Sequence, residues 1–264
     1  MKWAMGLLLV AVLTAANTVV AQDQSEQWLD VSNISLGLGV FASGEIYIDQ
    51  GADVTPLPYA TNTPRHYNAQ KRVFLRDGYL GFRPLKRPYG HFDFAIVGTV
   101  TGFTLDRQTA GPLAGVGSRR LTAELGLMAG LVFNEQTRFD VAATHDIFGE
   151  YESYRVRGVL SYTFRENEWE LIPNVGFIHR TSKFNNHYVG VSANEAAPGR
   201  PIYQPGSSTS PYISLIYSRN LGERWGMDIN MNYEFLPSEI EDSPITDADS
   251  WPGIFIGFNY RFGG

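Results

Sequence analysis

In a chain with no cysteine, the residues best suited to chemistry are five histidines, His66, His91, His145, His179 and His187. None has metal-ligand spacing to a second histidine on one face, and no Gly-x-Ser-x-Gly elbow occurs to present a nucleophile. One catalytic constellation can be drawn, His145-Asp146 with Ser153. A triad requires the aspartate to hydrogen-bond the imidazole, and neighbours on an extended strand point to opposite faces. His145 therefore reads as a rim residue facing lipid headgroups, and neither catalysis nor a cofactor or metal site is expected.

The other residues able to do chemistry are charges that recur at every second position. Glu124, Arg138, Asp140, Asp146, Arg155, Arg157, Arg165, Glu170, Arg180, Asp228 and Glu234, with Arg261, alternate with apolar residues in segments of about ten. In Leu121 to Phe133, for example, Leu125 and Leu127 share one face and Glu124 lies on the other, a period of two rather than 3.6. If the charged faces turn inward they line a lumen. Both signs occur in similar number, and buried ions must pair. A self-satisfied network that closes a small barrel is thus expected ahead of a selective pore, which a one-signed lining would favour. On this reading Leu127→Arg is costly and Glu124→Gln far cheaper.

The elements that position these charges read as strands of an all-β, transmembrane antiparallel β-barrel. Alternation alone suits a soluble sandwich equally well, but three features choose the barrel. Lys2, the apolar stretch Ala4 to Ala16 and Val19-Val20-Ala21 match a cleaved secretory signal, giving a signal peptide at 1–21 and a barrel at 22–264. No later apolar run approaches the roughly 20 residues of a spanning helix. Short turns at Asn134 to Gln136, Glu166 to Glu168 and Asn220 to Glu223 alternate with long loops at Asp106 to Ser118, Thr181 to Ser208 and Leu236 to Ser250. That is the outer-membrane pattern of short periplasmic turns and long outer loops. Finally, Phe133, Phe139, Phe164, Trp169, Tyr217, Trp225 and Phe262 fall near one end of their strands, as an interfacial girdle does.

About twelve strands are expected, with ten to fourteen as bounds because Pro56, Pro58, Pro64 and Pro84 disturb the pattern: Val31–Ala42, Asp53–Thr61, His66–Leu75, Gly78–Leu85, His91–Leu105, Arg119–Phe133, Thr137–Ile147, Tyr154–Arg165, Trp169–Arg180, Thr209–Arg219, Arg224–Phe235 and Gly253–Phe262. The even number puts both termini in the periplasm. Net charge is −6, about −7 once Lys2 leaves with the signal, and no basic stripe exists to meet nucleic acid. Acid gathers in one loop, Glu239, Glu241, Asp242, Asp247 and Asp249, read as solvated, with divalent-cation bridging to lipopolysaccharide as the alternative. The loop from Thr181 to Ser208 carries Tyr188, Tyr203 and three prolines, too much for a free tail. It is expected to fold across the mouth as a constriction, with both tyrosines packed against the barrel wall.

Leu36-Gly-Leu-Gly-Val40, Pro56-Leu-Pro58, Phe74-Leu-Arg76 with Leu80-Gly-Phe82, Tyr188-Val-Gly-Val191 through Glu195 and Gly199 to Tyr203, Asp242-Ser-Pro244 and Tyr260-Arg-Phe262 occur in this order. Together they make the chain resemble the MipA/OmpV family of outer-membrane proteins, the MltA-interacting protein family, over almost the whole mature length. The resemblance implies a cell outer-membrane location and a scaffold role joining a lytic transglycosylase to a peptidoglycan synthase, with porin-like or adhesin members as the alternative. It also implies recognition of Gly257, Tyr260 and Phe262 by the barrel assembly machinery. One departure is the tail Gly263-Gly264 after the final aromatic, where family members end on the aromatic itself.

Overall fold

The structure is a computed structural model that describes residues 34–62, 72–84 and 91–261. Among the described residues, thirteen strands form one antiparallel sheet: β1 Ile34–Ser43, β2 Asp53–Asn62, β3 Val73–Arg76, β4 Tyr79–Phe82, β5 Phe92–Thr101, β6 Thr122–Val132, β7 Thr137–Asp146, β8 Tyr154–Tyr162, β9 Phe164–Arg165, β10 Trp169–Arg180, β11 Ser208–Asn220, β12 Trp225–Phe235 and β13 Ser250–Tyr260. Two helices lie in the outer loops, α1 Ser182–Val189 and α2 Ser238–Glu241. The sheet runs β2-β1-β13-β12-β11-β10-β8-β7-β6-β5-β4-β3, with β9 paired to β10. Its ends, β2 and β3, come within 8 Å in their Cα traces, so the wall is a nearly closed barrel of twelve positions. Most strands have the roughly 9–11 residues a tilted strand needs to cross lipid.

Expected and observed strands coincide along most of the chain; the expected strand His91–Leu105 ends at Thr101, before the positive-φ Gly102, and the interruptions of the ladders trace to prolines. A proline cannot donate to a ladder, so it ends pairing on the side its N–H would have served. Pro173 keeps β10 paired with β11 throughout, yet the ladder to β8 stops at Asn174↔Ser161 and resumes as Leu171↔Phe164 in the same register. The expected strand Tyr154–Arg165 is thereby split into β8 and β9. Pro252 stays in the β12–β13 ladder, and the β1–β13 ladder ends beside it at Ser43↔Gly253. Pro56 and Pro58 share one parity within an unbroken β1–β2 ladder, so both missing donors face the β2–β3 seam. Among the described residues no ladder crosses that seam.

Within the stretch where prolines disturb the pattern, the described residues hold two strands of four residues each, β3 and β4. Their two-residue turn has Asp77 at φ 49° and Gly78 at φ 79°, the positive-φ pair of a type I′ hairpin. The first half of the expected strand His66–Leu75, the signal segment 1–21 and Phe262 lie outside the described residues.

The lipid face is apolar and exposed, with Leu127 67%, Leu38 72% and Ile213 51% open where the bilayer would lie. Aromatic pairs ring the end with short turns: Trp169 with Tyr217 at 6.5 Å, Trp225 with Tyr260 at 5.1 Å and Tyr162 with Phe164 at 4.7 Å between centroids. At the opposite end, five long loops build an apolar core of their own.

Candidate functional site

Nine of the eleven charged positions read as lumenal from the sequence point inward and are no more than 7% exposed: Glu124, Arg138, Asp140, Asp146, Arg155, Glu170, Arg180, Asp228 and Glu234. They do not form one chain of charge. They divide into separate clusters at different positions on the wall.

Toward the outer mouth, Glu124 accepts hydrogen bonds from Arg155 Nε and Nη2 at 3.1 and 2.8 Å, from Thr144 Oγ1 at 2.6 Å and from the Tyr151 hydroxyl. Asp146 has no cationic partner in this set. It accepts from Thr122 Oγ1 at 2.6 Å and from the backbone amides of Phe148, Gly149, Tyr151 and Glu152 at 2.8–3.1 Å, and so shapes the β7–β8 loop. His145 lies on the outward face and its Nδ1 meets the Asp146 carbonyl at 2.8 Å, so the imidazole and the Asp146 carboxylate are kept apart. Ser153 Oγ accepts instead from Thr181. Across the mouth, Arg180 donates to both oxygens of Glu234 at 2.6 and 3.0 Å and to Ser210 at 2.8 Å.

Near the periplasmic end, Arg83 Nε bonds both Asp93 oxygens at 2.9 Å and Arg138 reaches the same carboxylate at 2.9 Å. Arg138 also bonds Asp140 at 2.7 and 2.8 Å, and Arg76 meets Asp140 at 3.2 Å. On the other side of the barrel, Asp228 accepts from Tyr59 at 2.9 Å, Asn259 at 2.8 Å and Ser218 at 2.9 Å. Arg165 is the exception among the expected lumenal residues. Its β9 segment ends the wall, and it stands at the rim, 42% exposed, with Glu170 at 3.0 Å.

Between these clusters the β3–β4 hairpin leans into the lumen. Phe74 and Tyr79 are buried with Ala95, Val97, Met128 and Ala142, and the Asp77 carbonyl accepts from Arg157 Nη1 at 2.6 Å. Arg157 also donates to the Tyr212 hydroxyl at 2.9 Å and lies over the Tyr212 and Tyr79 rings at 4.9 and 5.8 Å. The hairpin residues Arg76 and Arg83, like Asp93, were not anticipated. For Asp93 the signal was present in the alternation Phe92, Phe94, Ile96, whereas the prolines obscured the parity of Arg76 and Arg83.

The outer mouth is covered by residues of five loops. Ile46 and Tyr47, Phe103 and Leu105, Leu113 and Val116, Tyr151, the α1 segment Phe184, Tyr188 and Val189, and Leu236, Ile240 and Ile245 form one buried cluster. Tyr188 is at its centre, but it packs against other loops rather than against the strand wall. Its ring lies edge-on to Phe103 at 5.8 Å, its hydroxyl donates to the Arg120 carbonyl at 2.8 Å, and its own carbonyl accepts from Tyr47 at 2.9 Å. Burial pushes the Tyr47 and Tyr188 hydroxyls well above their usual range. Tyr203 sits at the cluster's margin and donates to the Glu239 carbonyl at 3.2 Å. Gly102, at φ +123°, lets the Tyr188 hydroxyl lie directly against its backbone.

Two arginines rivet the cap. Arg200 donates to the carbonyls of Glu195, Pro112 and Ala114 at 2.8, 2.5 and 2.8 Å. Arg119 bonds Glu195 at 2.9 Å, and Glu195 also accepts from the amides of Gly117 and Ser192 at 2.8 and 3.0 Å. Burial raises the Glu195 carboxyl, but the two amides and the Arg119 guanidinium outweigh it and hold it at about 2. Helix α1 starts at the N-cap Thr181, whose side chain accepts from the Phe184 amide, a cap that period-two reading passes over.

A family model described as MltA-interacting protein MipA matches residues 36–262. The chain is 28% identical over 164 residues to outer membrane protein Omp26La of Vibrio anguillarum, covering 61% of this chain and 63% of that protein. It is 33% identical over 103 residues to MltA-interacting protein of Escherichia coli K12, covering 38% and 41%. The chain therefore spans less than two thirds of the length of these relatives. Among solved structures, the CymD monoaromatic hydrocarbon channel aligns at 10% identity over 88% of this chain and 89% of that one, with a TM-score of 0.37. OprG of Pseudomonas aeruginosa aligns at 13% identity over 89% and 100%, with a TM-score of 0.25.

Proposed function

Because the chain belongs to the MltA-interacting protein MipA family of outer-membrane β-barrels, we propose that it is a closed, non-conducting barrel that acts as a scaffold. In this role it holds a lytic transglycosylase, and through it a peptidoglycan synthase, at the inner face of the outer membrane. One observation carries the reading: Arg83, Asp93, Arg138 and Asp140 pair with one another inside the wall, and the folded cap lies above them. Paired, desolvated ions of both signs offer no single-signed path to a solute. Tyr188 seals the mouth, and Tyr203 fastens the cap's margin.

The signal at 1–21 is removed near Ala21, and the assembly machinery reads Gly257 and Tyr260 of β13 together with Phe262. Lipopolysaccharide surrounds the outer rim. Planar-bilayer recording on the purified chain, combined with capture of a purified lytic transglycosylase by the chain in detergent, tests the scaffold. Silence with capture is expected. Stepwise conductance without capture would replace the scaffold by a narrow channel.

A further inference from the structure

We propose that the lipid face between β10 and β2 carries a built groove that seats one acyl chain of an outer-leaflet lipopolysaccharide. The groove has a volume of about 710 Å³ and is walled by Ile213, Leu215, Met231, Tyr233 and Ile254. These side chains share the parity of the exposed lipid-facing residues and stand on both sides of the row Asn174↔Ser214↔Asn232↔Gly253↔Ser43, which has the opposite parity, so the groove opens to the bilayer between two lipid-facing rows. Its hollow comes from small and cyclic residues at positions where neighbouring strands carry bulky ones. Pro173, Pro252, Ala42, Gly44 and Ala52 replace branched side chains along the floor.

The path of the groove selects its occupant. The row Pro173↔Leu215↔Met231↔Ile254↔Ala42 follows the ladders across five strands. It runs from the middle of β10 through the middle of β13 to the outer end of β1, beside Gly44 and Ala52. Four strand spacings give a length of roughly 19 Å, and the depth of one leaflet's hydrocarbon is about 15 Å. A chain whose headgroup rests at the outer rim and whose tail descends obliquely fits that run. The groove is continuous with the lipid-facing belt, so the bilayer delivers its occupant directly. A second copy of this barrel fits less well, because an isologous dimer would set one concavity against another and leave a void.

The test uses the full mature chain, purified from outer membranes, delipidated and offered deep-rough lipopolysaccharide or phosphatidylethanolamine in mixed micelles. Bound lipid is counted by native mass spectrometry. Ala42→Phe and Ala52→Phe each fill the groove, Tyr233→Ala removes its flank without filling it, and Leu127→Phe adds the same bulk to the lipid face of β6. Excluding about two methylenes from contact corresponds to a roughly tenfold loss of affinity. The expected result is one retained lipopolysaccharide for the natural chain and for Leu127→Phe, with at least that loss for the groove variants, in protein that still shows heat-modifiable migration. Equal retention in all heat-modifiable variants overturns the proposal. So does retention of phosphatidylethanolamine alone, or a natural dimer that Ala42→Phe splits.

Discussion

Replacing Arg180 by Met tests the paired-ion account of the lumen most sharply. Arg180 and Glu234 are each 3% exposed and joined by two hydrogen bonds, and both Glu234 oxygens are engaged by this guanidinium. Methionine keeps the bulk beneath Phe103 and Phe184, whose rings lie 5.6 and 5.5 Å from the guanidinium carbon, but leaves a carboxylate buried without a counter-ion. Such a break costs about 3–5 kcal/mol, and Glu234→Leu, which strands the arginine, costs a similar amount. Replacing both partners by apolar residues is close to neutral, so Arg180→Met with Glu234→Leu should recover all but about 1 kcal/mol. Urea titration of the barrel in liposomes, read by heat-modifiable migration, gives the four corners of the cycle. A double variant as unstable as the sum of the two single ones would refute the reasoning, because the charges would then be independently solvated by lumenal water.

Leu127→Arg should cost about 2–4 kcal/mol in the same assay, as a charge placed on the lipid face. Glu124→Gln, cheap on sequence grounds, should instead cost about 3 kcal/mol because Arg155 loses its carboxylate; indistinguishable stability of Glu124→Gln and the natural chain would contradict the geometry. The Glu195 carboxyl is held at about 2, below its ordinary value of 4.5, so it stabilises the cap above about pH 4.5 and that contribution is lost as pH falls toward 2. Protection of the Gly117 and Ser192 amides against hydrogen exchange, taken relative to the free-amide rate at each pH, should fall across that window, while Glu195→Gln should flatten the dependence. Gly102→Val forces a branched residue into a positive-φ position already filled by the Tyr188 hydroxyl, and should loosen the cap by about 2 kcal/mol or more while leaving the strands intact. Limited proteolysis of the loops beside unchanged far-ultraviolet dichroism would report it.

The barrel was legible because period-two alternation is a local signal and lipid enforces it on every spanning strand. Leu127 outward and Glu124 inward follow from parity alone. Pairing partners are not local: nothing near Asp140 in sequence names Arg76, and nothing near Asp93 names Arg138. Arg165 keeps the lumenal parity, because β9 continues the register of β8 opposite Glu170, and what parity could not give was its place at the last rung of the wall, where the side chain is 42% exposed. The cap was foreseen as proline- and aromatic-rich loop, but its core draws on loops distant in the chain, so Tyr188 was matched to the wall instead of to Phe103 and Tyr47.

The first outer loop and the last are joined directly. Ile48 donates to Ile245 at 3.2 Å, Asp247 donates to Ile46 at 3.1 Å, and Tyr47 bridges Thr246. These partners are about two hundred residues apart, and both must reach the far side of the membrane before they can touch. The cap is therefore a completion signal in the order of assembly. It cannot close around Tyr188 until the final hairpin has crossed, and a chain arrested one hairpin short would expose Phe103, Phe184 and Tyr188 to the cell exterior. Protease resistance of the outer loops should consequently appear as the last event in insertion, later than the heat resistance of the wall.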